Sequence, residues 1–227
     1  MDHLIRQSDL IPSNVLGQEI TVIGAGAIGS FTVLSLAKMG FWNITVYDFD
    51  KVSVENMNCQ WFRFSDIGKP KAQALAELIF DFTKLQIKAF STCYNGSQEL
   101  RGIVISSVDS MEVRKLIWSK AKDNFRVSWI IDPRMASEYA LSYVMDPNDF
   151  KDQTAYEKTL YTDENAIHEP CTSKATIYTA TMISGHVAKH VKDLVTGKKY
   201  ARVTNWDIAL NKQLTWVKPQ EEINGSR

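Results

Sequence analysis

The segment from Ile20 to Ser30, ITVIGAGAIGS, constrains this chain more than any other. A short apolar run without alternation reads as a central parallel strand, buried on both faces. Gly24, Gly26 and Gly29 follow with the Gly-x-Gly-x-x-Gly spacing of a tight strand-to-helix turn. Such a turn lets the backbone approach a phosphate, and the helix behind it offers unpaired N–H groups to an anion. Asp48 ends the next apolar run, 24 residues after Gly24, where a carboxylate can hold ribose hydroxyls. On these residues alone NAD, FAD, S-adenosylmethionine and ATP all fit.

The rest of the chain repeats the strand–helix alternation. Strands are expected over residues 19–23, 43–47, 86–91, 102–108 and 127–132, and helices over 27–39, 70–83 and 111–122. That alternation argues an open, Rossmann-like, mostly parallel α/β sheet with helices on both faces. The pattern then changes. Residues 139–145 form a strand with no helix before it, so antiparallel strands are added toward the C-terminus. Residues 147–170 carry six acidic and two basic side chains and are expected to be a long mobile loop, a length that is more often functional than idle. A long helix is expected over 173–195, and a terminal hairpin around Asn211-Lys212 over 200–217. Residues 1–16 read as a short helical arm, with Leu4, Ile5 and Leu10 as its apolar points. The whole, 1–227, is expected to be one domain.

Two further features narrow the ligand. Lys69 and Lys71 flank Pro70 at the start of a strong helix, where the helix dipole disfavours each cation by about 0.3–1 kcal/mol. A bound anion would compensate them, and a triphosphate is the natural one. Asp109 follows the buried strand at the sheet edge where open α/β folds bind ligands. A carboxylate there suits a magnesium ion, and equally suits a cap on the helix beginning near Met111.

Composition excludes several classes. Lys+Arg and Asp+Glu are both 26, so the formal net charge is 0 and no global basic field calls for DNA or an anionic membrane. The first residues lack the apolar core of a signal peptide, and no run approaches the ~18 apolar residues of a spanning helix. Cys59, Cys93 and Cys171 are odd in number and far apart, with no CxxC pair. That suits a reducing compartment and argues against a zinc ribbon. A cytoplasmic location is expected.

Taken together, GAGAIGS, D-x-D-x-V-x-x-x-N, a following glutamine, DIGKPKA and V-D-S with a downstream arginine resemble the ThiF/MoeB family. That is the adenylating core shared with ubiquitin-activating enzymes. The likeness in order and spacing runs over roughly residues 5–197. It implies an ATP- and Mg2+-dependent adenylyltransferase that activates the C-terminal carboxylate of a small ubiquitin-like or sulfur-carrier protein, or of a peptide, and that works as a homodimer. The resemblance puts Asp48 on the ribose beside Asp50 of the same D-x-D pair, and Asn56, Gln60 and Lys71 on the phosphates. It puts Asp109 on the magnesium. Arg6, of the arm's Arg6-Gln7, would reach the partner subunit's phosphates.

Cys59 departs from the family pattern, which has arginine directly before the glutamine. A thiol cannot replace a phosphate-binding fork. Arg63, Arg134 and Arg6 are the candidates to supply the charge, with Arg134 favoured. Should none do so, the fold would serve as a scaffold or as the passive half of a heterodimer. A nicotinamide- or flavin-dependent oxidoreductase is a further alternative, against which the D-x-D and GKPK segments argue.

Cys171 precedes the last long helix, where a helix N-terminus lowers a thiol's pKa. It resembles the reactive cysteine of sulfur-transferring family members, with His168 nearby to assist. An ordinary small buried residue is the competing reading. His186 and His190 lie four apart on one helical face, a metal-compatible spacing, although packing is the simpler reading without an acidic HExxH pattern. Ala180, Ser184 and Gly185 make a narrow face on the same helix that suits a close contact, such as a dimer interface.

Overall fold

Short, β-branched runs with no polar face can only be satisfied in the middle of a sheet covered on both sides, and that is where they lie. A computed structural model describes residues 2–161 and 175–217. The elements are β1 (Ile20–Ile23), α1 (Ala27–Lys38), β2 (Ile44–Tyr47), α2 (Lys71–Thr83), β3 (Lys88–Phe90), β4 (Gly102–Ser106), α3 (Met111–Ala121), β5 (Val127–Ala136), β6 (Tyr139–Met145), α4 (Phe150–Glu157), α5 (Ile177–Val195), β7 (Ala201–Asp207) and β8 (Lys212–Val217). All eight strands join one sheet in the order β3-β2-β1-β4-β5-β6-β7-β8. The first five are parallel, and β6, β7 and β8 extend the sheet antiparallel. The chain reverses its direction of winding between β1 and β4, so their carboxyl ends open a crevice.

Alternate residues of the central strands feed two cores. Ile20, Val22, Ile103, Ile105 and Ile131 meet α1, α2 and α5 on one face. Ile23, Val104 and Ile130 meet Ile117, Trp118 and Ala121 of α3 and Tyr156 of α4 on the other. The α1–α5 contact uses Ala180 and Ser184, both fully buried, and Ser184 Oγ donates to Ile28 O at 2.8 Å. That small-residue face is therefore spent within the chain, not on the dimer contact expected of it. Gly185 stands apart from it, with open space where a Cβ would be.

Three boundaries differ from expectation. The loop expected over 147–170 contains α4, capped by Asp149, whose side chain accepts from Asp152 N at 2.9 Å. The helix is polar in sequence and gains its stability from tertiary contacts. Tyr156 lies edge-on to Trp118, Glu157 accepts from Trp118 Nε1 and Lys122 Nζ, and Asp152 pairs with Arg202 of β7. β5 runs four residues past the expected end because its far half pairs with β6. Its pairing with β4 stops at Ile131, so Pro133 sits where no β4 acceptor is left without a donor. The last long helix begins at Ile177 rather than Ser173.

Candidate active site

The glycine turn is built by close approach. Gly24 has φ +94°, and a Cβ there would lie 2.3 Å from Ser107 O. A Cβ on Gly29 would strike Gly24 O at 1.9 Å, so β1, α1 and the end of β4 meet through these two positions. Gly26 faces open space, a cradle of bare backbone at the N-terminus of α1, as phosphate binding needs.

Asp48 clasps this turn from the end of β2. Its carboxylate accepts from Ala25 N at 2.6 Å and from Asp50 N at 2.8 Å. Burial raises its pKa, and the two backbone N–H groups and Lys71 offset that only in part. Asp50 is half exposed and takes Lys71 Nζ at 2.9 Å, while the lysine side chain itself is 8% exposed. Lys71 is thus held at the start of α2, aimed along the crevice edge with a displaceable carboxylate as its partner.

The two lysines at the α2 N-terminus are not left uncompensated, as the sequence suggests. Lys69 pairs with Glu77 at 2.6 Å and Asp66 at 3.3 Å, and Lys71 with Asp50. Carboxylates brought in by the fold offset the helix dipole there. Of the pair, Lys71 is the one whose partner, Asp50, follows β2 at the carboxyl edge of the sheet.

Asn56 and Gln60 lie on the segment between β2 and α2. Asn56 Oδ1 accepts from Ser53 N at 2.9 Å, which closes a capping box and leaves its amide donors to other partners. Gln60 Oε1 is buried with no hydrogen-bond partner among the described residues, as are Ser106 Oγ and Ser107 Oγ at the end of β4. Orphaned polar atoms at the end of β4 are what a bound polar ligand would satisfy.

Asp109 is exposed at the end of β4. The N-cap of α3 is Ser110, whose Oγ accepts from Val113 N at 3.3 Å. Asp109 is thereby released from capping, and an exposed oxygen donor of this kind fits magnesium. Among the described residues no group of three or more His, Cys, Asp or Glu could hold a metal ion. A magnesium ion here would therefore rest on Asp109 together with nucleotide oxygens.

Two of the candidates for the charge that Cys59 lacks, Arg63 and Arg134, are already engaged. Arg63 makes a two-pronged contact with Asp66, at 3.0 and 3.1 Å, and a third with Asp81 at 2.9 Å. Arg134 binds Asp132 through Nε and Nη2 and donates to Thr159 O, with its guanidinium 4.8 Å from the Tyr143 ring centroid. Burial opposes the Arg134 charge, yet the charge of Asp132 and its hydrogen bonds keep the pKa above the usual value. Cys59 is buried, and burial raises its thiol pKa, with Lys71 pulling the other way. Arg6 is exposed on a 3-10 helix, Asp2–Gln7, which is pinned where Gln7 Nε2 donates to Met39 O at 2.6 Å. Cys171 and His168 lie outside the described residues.

Sequence reasoning missed a buried network beside the site. Asp132 accepts from Arg114 Nε at 2.7 Å, from Arg134 and from Tyr156 Oη at 2.8 Å. Arg114 also donates to Val108 O, the carbonyl just before Asp109. A buried strand ending in Asp132 was the only signal available, because its partners come from α3, β5 and α4.

Comparison with known proteins agrees with this geometry. The ThiF family model matches residues 13–222. A NEDD8-activating enzyme E1 catalytic subunit from Arabidopsis thaliana is 37% identical over 109 residues, covering 43% of this chain and 23% of that protein. The ubiquitin-like modifier-activating enzyme 5 of Culex quinquefasciatus is 30% identical over 95 residues, 42% of this chain and 21% of that protein. The chain thus spans under a third of the length of these curated relatives. Among solved structures, Escherichia coli MccB with ATP superposes with a TM-score of 0.76 over 98% of this chain and 73% of that one, at 13% identity. PaaA superposes with a TM-score of 0.73 over 96% and 74%, at 16% identity. Among the described residues no helix is long and apolar enough to cross a membrane. With the glycine turn, the Asp48 clasp and the Lys71 position in one crevice, and with a family match running through nearly the whole sheet, this chain belongs to the ThiF family.

Proposed function

We propose that this protein adenylates the C-terminal carboxylate of a small ubiquitin-like or sulfur-carrier protein, or of a peptide, at the expense of ATP. The observation that carries the reading is the Asp50–Lys71 pair beside Asp48, whose carboxylate holds the glycine turn through Ala25 N. In the step envisaged, a carboxylate oxygen of the acceptor attacks the α-phosphorus. The bond from that phosphorus to the bridging oxygen breaks, and pyrophosphate leaves with the electron pair. No general base is needed, because the nucleophile is already ionised. What the protein supplies is position and charge. Lys71, released from Asp50, would face the phosphate oxygens, and the glycine turn would present its N–H groups. A magnesium ion held by Asp109 would neutralise charge on the phosphates.

The arrangement is completed in a homodimer, with Arg6 of each subunit reaching the other's nucleotide in place of the charge lost at Cys59. A second half-reaction, acyl or sulfur transfer through Cys171, belongs to the same reading. ATP–pyrophosphate exchange in the presence of candidate tails is the test. Exchange is expected with the correct acceptor and is expected to fall at least ~10²-fold in Asp109→Ala. Exchange that survives Asp109→Ala undamaged would remove the magnesium role, and failure to bind ATP would remove the reading.

One observation favours a second reading. Arg63 and Arg134 are both engaged with carboxylates, so neither is free to stand in for the residue that Cys59 replaces. A catalytically silent ThiF-fold partner that binds a ubiquitin-like protein or another subunit would have this site. Tight partner binding without any exchange would select it.

A further inference from the structure

On the far side of α5 from the α1 contact, a cavity of about 490 Å³ opens between that helix and the β7–β8 hairpin. Met182, His186 and His190 line it from the helix, and Trp206, Gln213 and Thr215 line it from the strands. His190 is 1% exposed, yet neither of its ring nitrogens has a hydrogen-bond partner among the described residues, and His186 Nε2 is likewise buried without one. The two rings stand nearly perpendicular with centroids 4.1 Å apart, and Trp206 braces His186 edge-on at 4.4 Å. Buried imidazole nitrogens are nearly always hydrogen-bonded. Three without a partner beside a cavity can gain one when the rings turn toward an occupant of that cavity.

We propose that His186 and His190 form a binding site for one imidazole-preferring divalent metal ion of the Zn2+ or Ni2+ kind. The spacing puts both rings on one face of a regular helix, one turn apart. Rings at this separation can bring one nitrogen each to about 2.0–2.1 Å from a common ion. The neighbouring cation, Lys189, is drawn off by Asp193, which also pairs with Lys192. No third His, Cys, Asp or Glu joins the pair among the described residues. The remaining positions on the ion are left to water and to the side-chain oxygens of Gln213 and Thr215.

The experiment is a titration of the chelator-stripped full chain with Zn2+ against a chromophoric competitor, repeated with Co2+ to read the visible bands of the bound ion. One equivalent is expected to bind. His186→Gln is expected to weaken that equivalent by at least ~10-fold, with the Co2+ spectrum altered, and His190→Gln is expected to do the same. His186 is the less buried of the two, so His186→Gln keeps the test valid should His190→Gln fail to fold, as read by far-UV circular dichroism. A Cys93→Ser, Cys171→Ser background removes two thiols as competing ligands. Absence of a bound equivalent, or an equivalent unchanged in His186→Gln, overturns the proposal.

Discussion

Lys71 is the residue whose surroundings separate stability from chemistry most cleanly. Its ammonium is buried, but its partner Asp50 is 47% exposed, so removing the lysine leaves a carboxylate that water can solvate. Lys71→Met is accordingly expected to change unfolding free energy by no more than about 1 kcal/mol, while lowering ATP–pyrophosphate exchange by on the order of 10²-fold. Urea unfolding and exchange measured on the same preparation check both halves. A large stability loss would make the lysine structural instead. Cys59 makes the complementary case. It is buried with a raised thiol pKa, whereas Cys93 is exposed, and thiolate character together with access governs thiol reactivity. In a Cys171→Ser background, one thiol is expected to react quickly with an aromatic disulfide at pH 8, and the second only on unfolding. Two fast thiols would show that the Cys59 pocket opens readily.

At the scale of elements, legibility in the sequence followed how local the cause was. The strand–turn–helix at Gly24 to Gly29, the strand at Tyr139–Met145 and the hairpin turning at Asn211 were readable, because backbone geometry and apolar runs decide them. The α4 helix was not. Its partners Trp118, Lys122 and Asp132 come from elsewhere in the chain, and its own pattern is polar. The site divided in the same way. Asp48, Lys71 and Asp109 were named from strand ends and a helix start, and the structure places Asp48 after β2, Lys71 at the start of α2 and Asp109 after β4. The pairing of Lys69 with Glu77, the capture of Arg63 by Asp66 and the Arg114–Asp132–Arg134 network all depend on tertiary placement. That network makes a prediction of its own. Asp132 is fully buried between two guanidiniums that are 5% and 15% exposed. Asp132→Ala leaves two buried like charges facing each other, and a cost of about 3–5 kcal/mol is expected. Arg101 is 49% exposed and its partner Glu99 46%, and Arg101→Ala is expected to cost roughly 1 kcal/mol or less. Chemical denaturation of the two variants compares them directly, and similar costs would mean that the buried network is not what ties α3, α4 and β5 together.

The whole-molecule question is whether one chain holds a complete site. Within one subunit the crevice gathers the glycine turn, Asp48, Lys71 and Asp109, but the two guanidiniums expected to replace the lost arginine from within the sheet, Arg63 and Arg134, are already paired. Arg6 is exposed, and nothing among the described residues of its own chain binds its side chain. Its 3-10 helix is nonetheless anchored, through Gln7 to Met39 and through Leu4 packed beside Gly40. An exposed cation on an anchored arm is suited to act on a neighbouring copy. In a two-fold dimer each site would then combine Lys71 of one subunit with Arg6 of the other. Arg6→Ala and Lys71→Met should each be inactive alone, because every site lacks one of the two cations. Mixing equal amounts under exchange conditions makes half of the dimers mixed, and each mixed dimer has one site with both cations intact. Activity should therefore return to about a quarter of the wild-type level. Were Arg6 acting within its own subunit, both sites of the mixed dimer would be defective and no activity would return. The same null result from a chain shown to be monomeric would instead place the missing charge on a different partner protein, which is the arrangement of a passive heterodimer half.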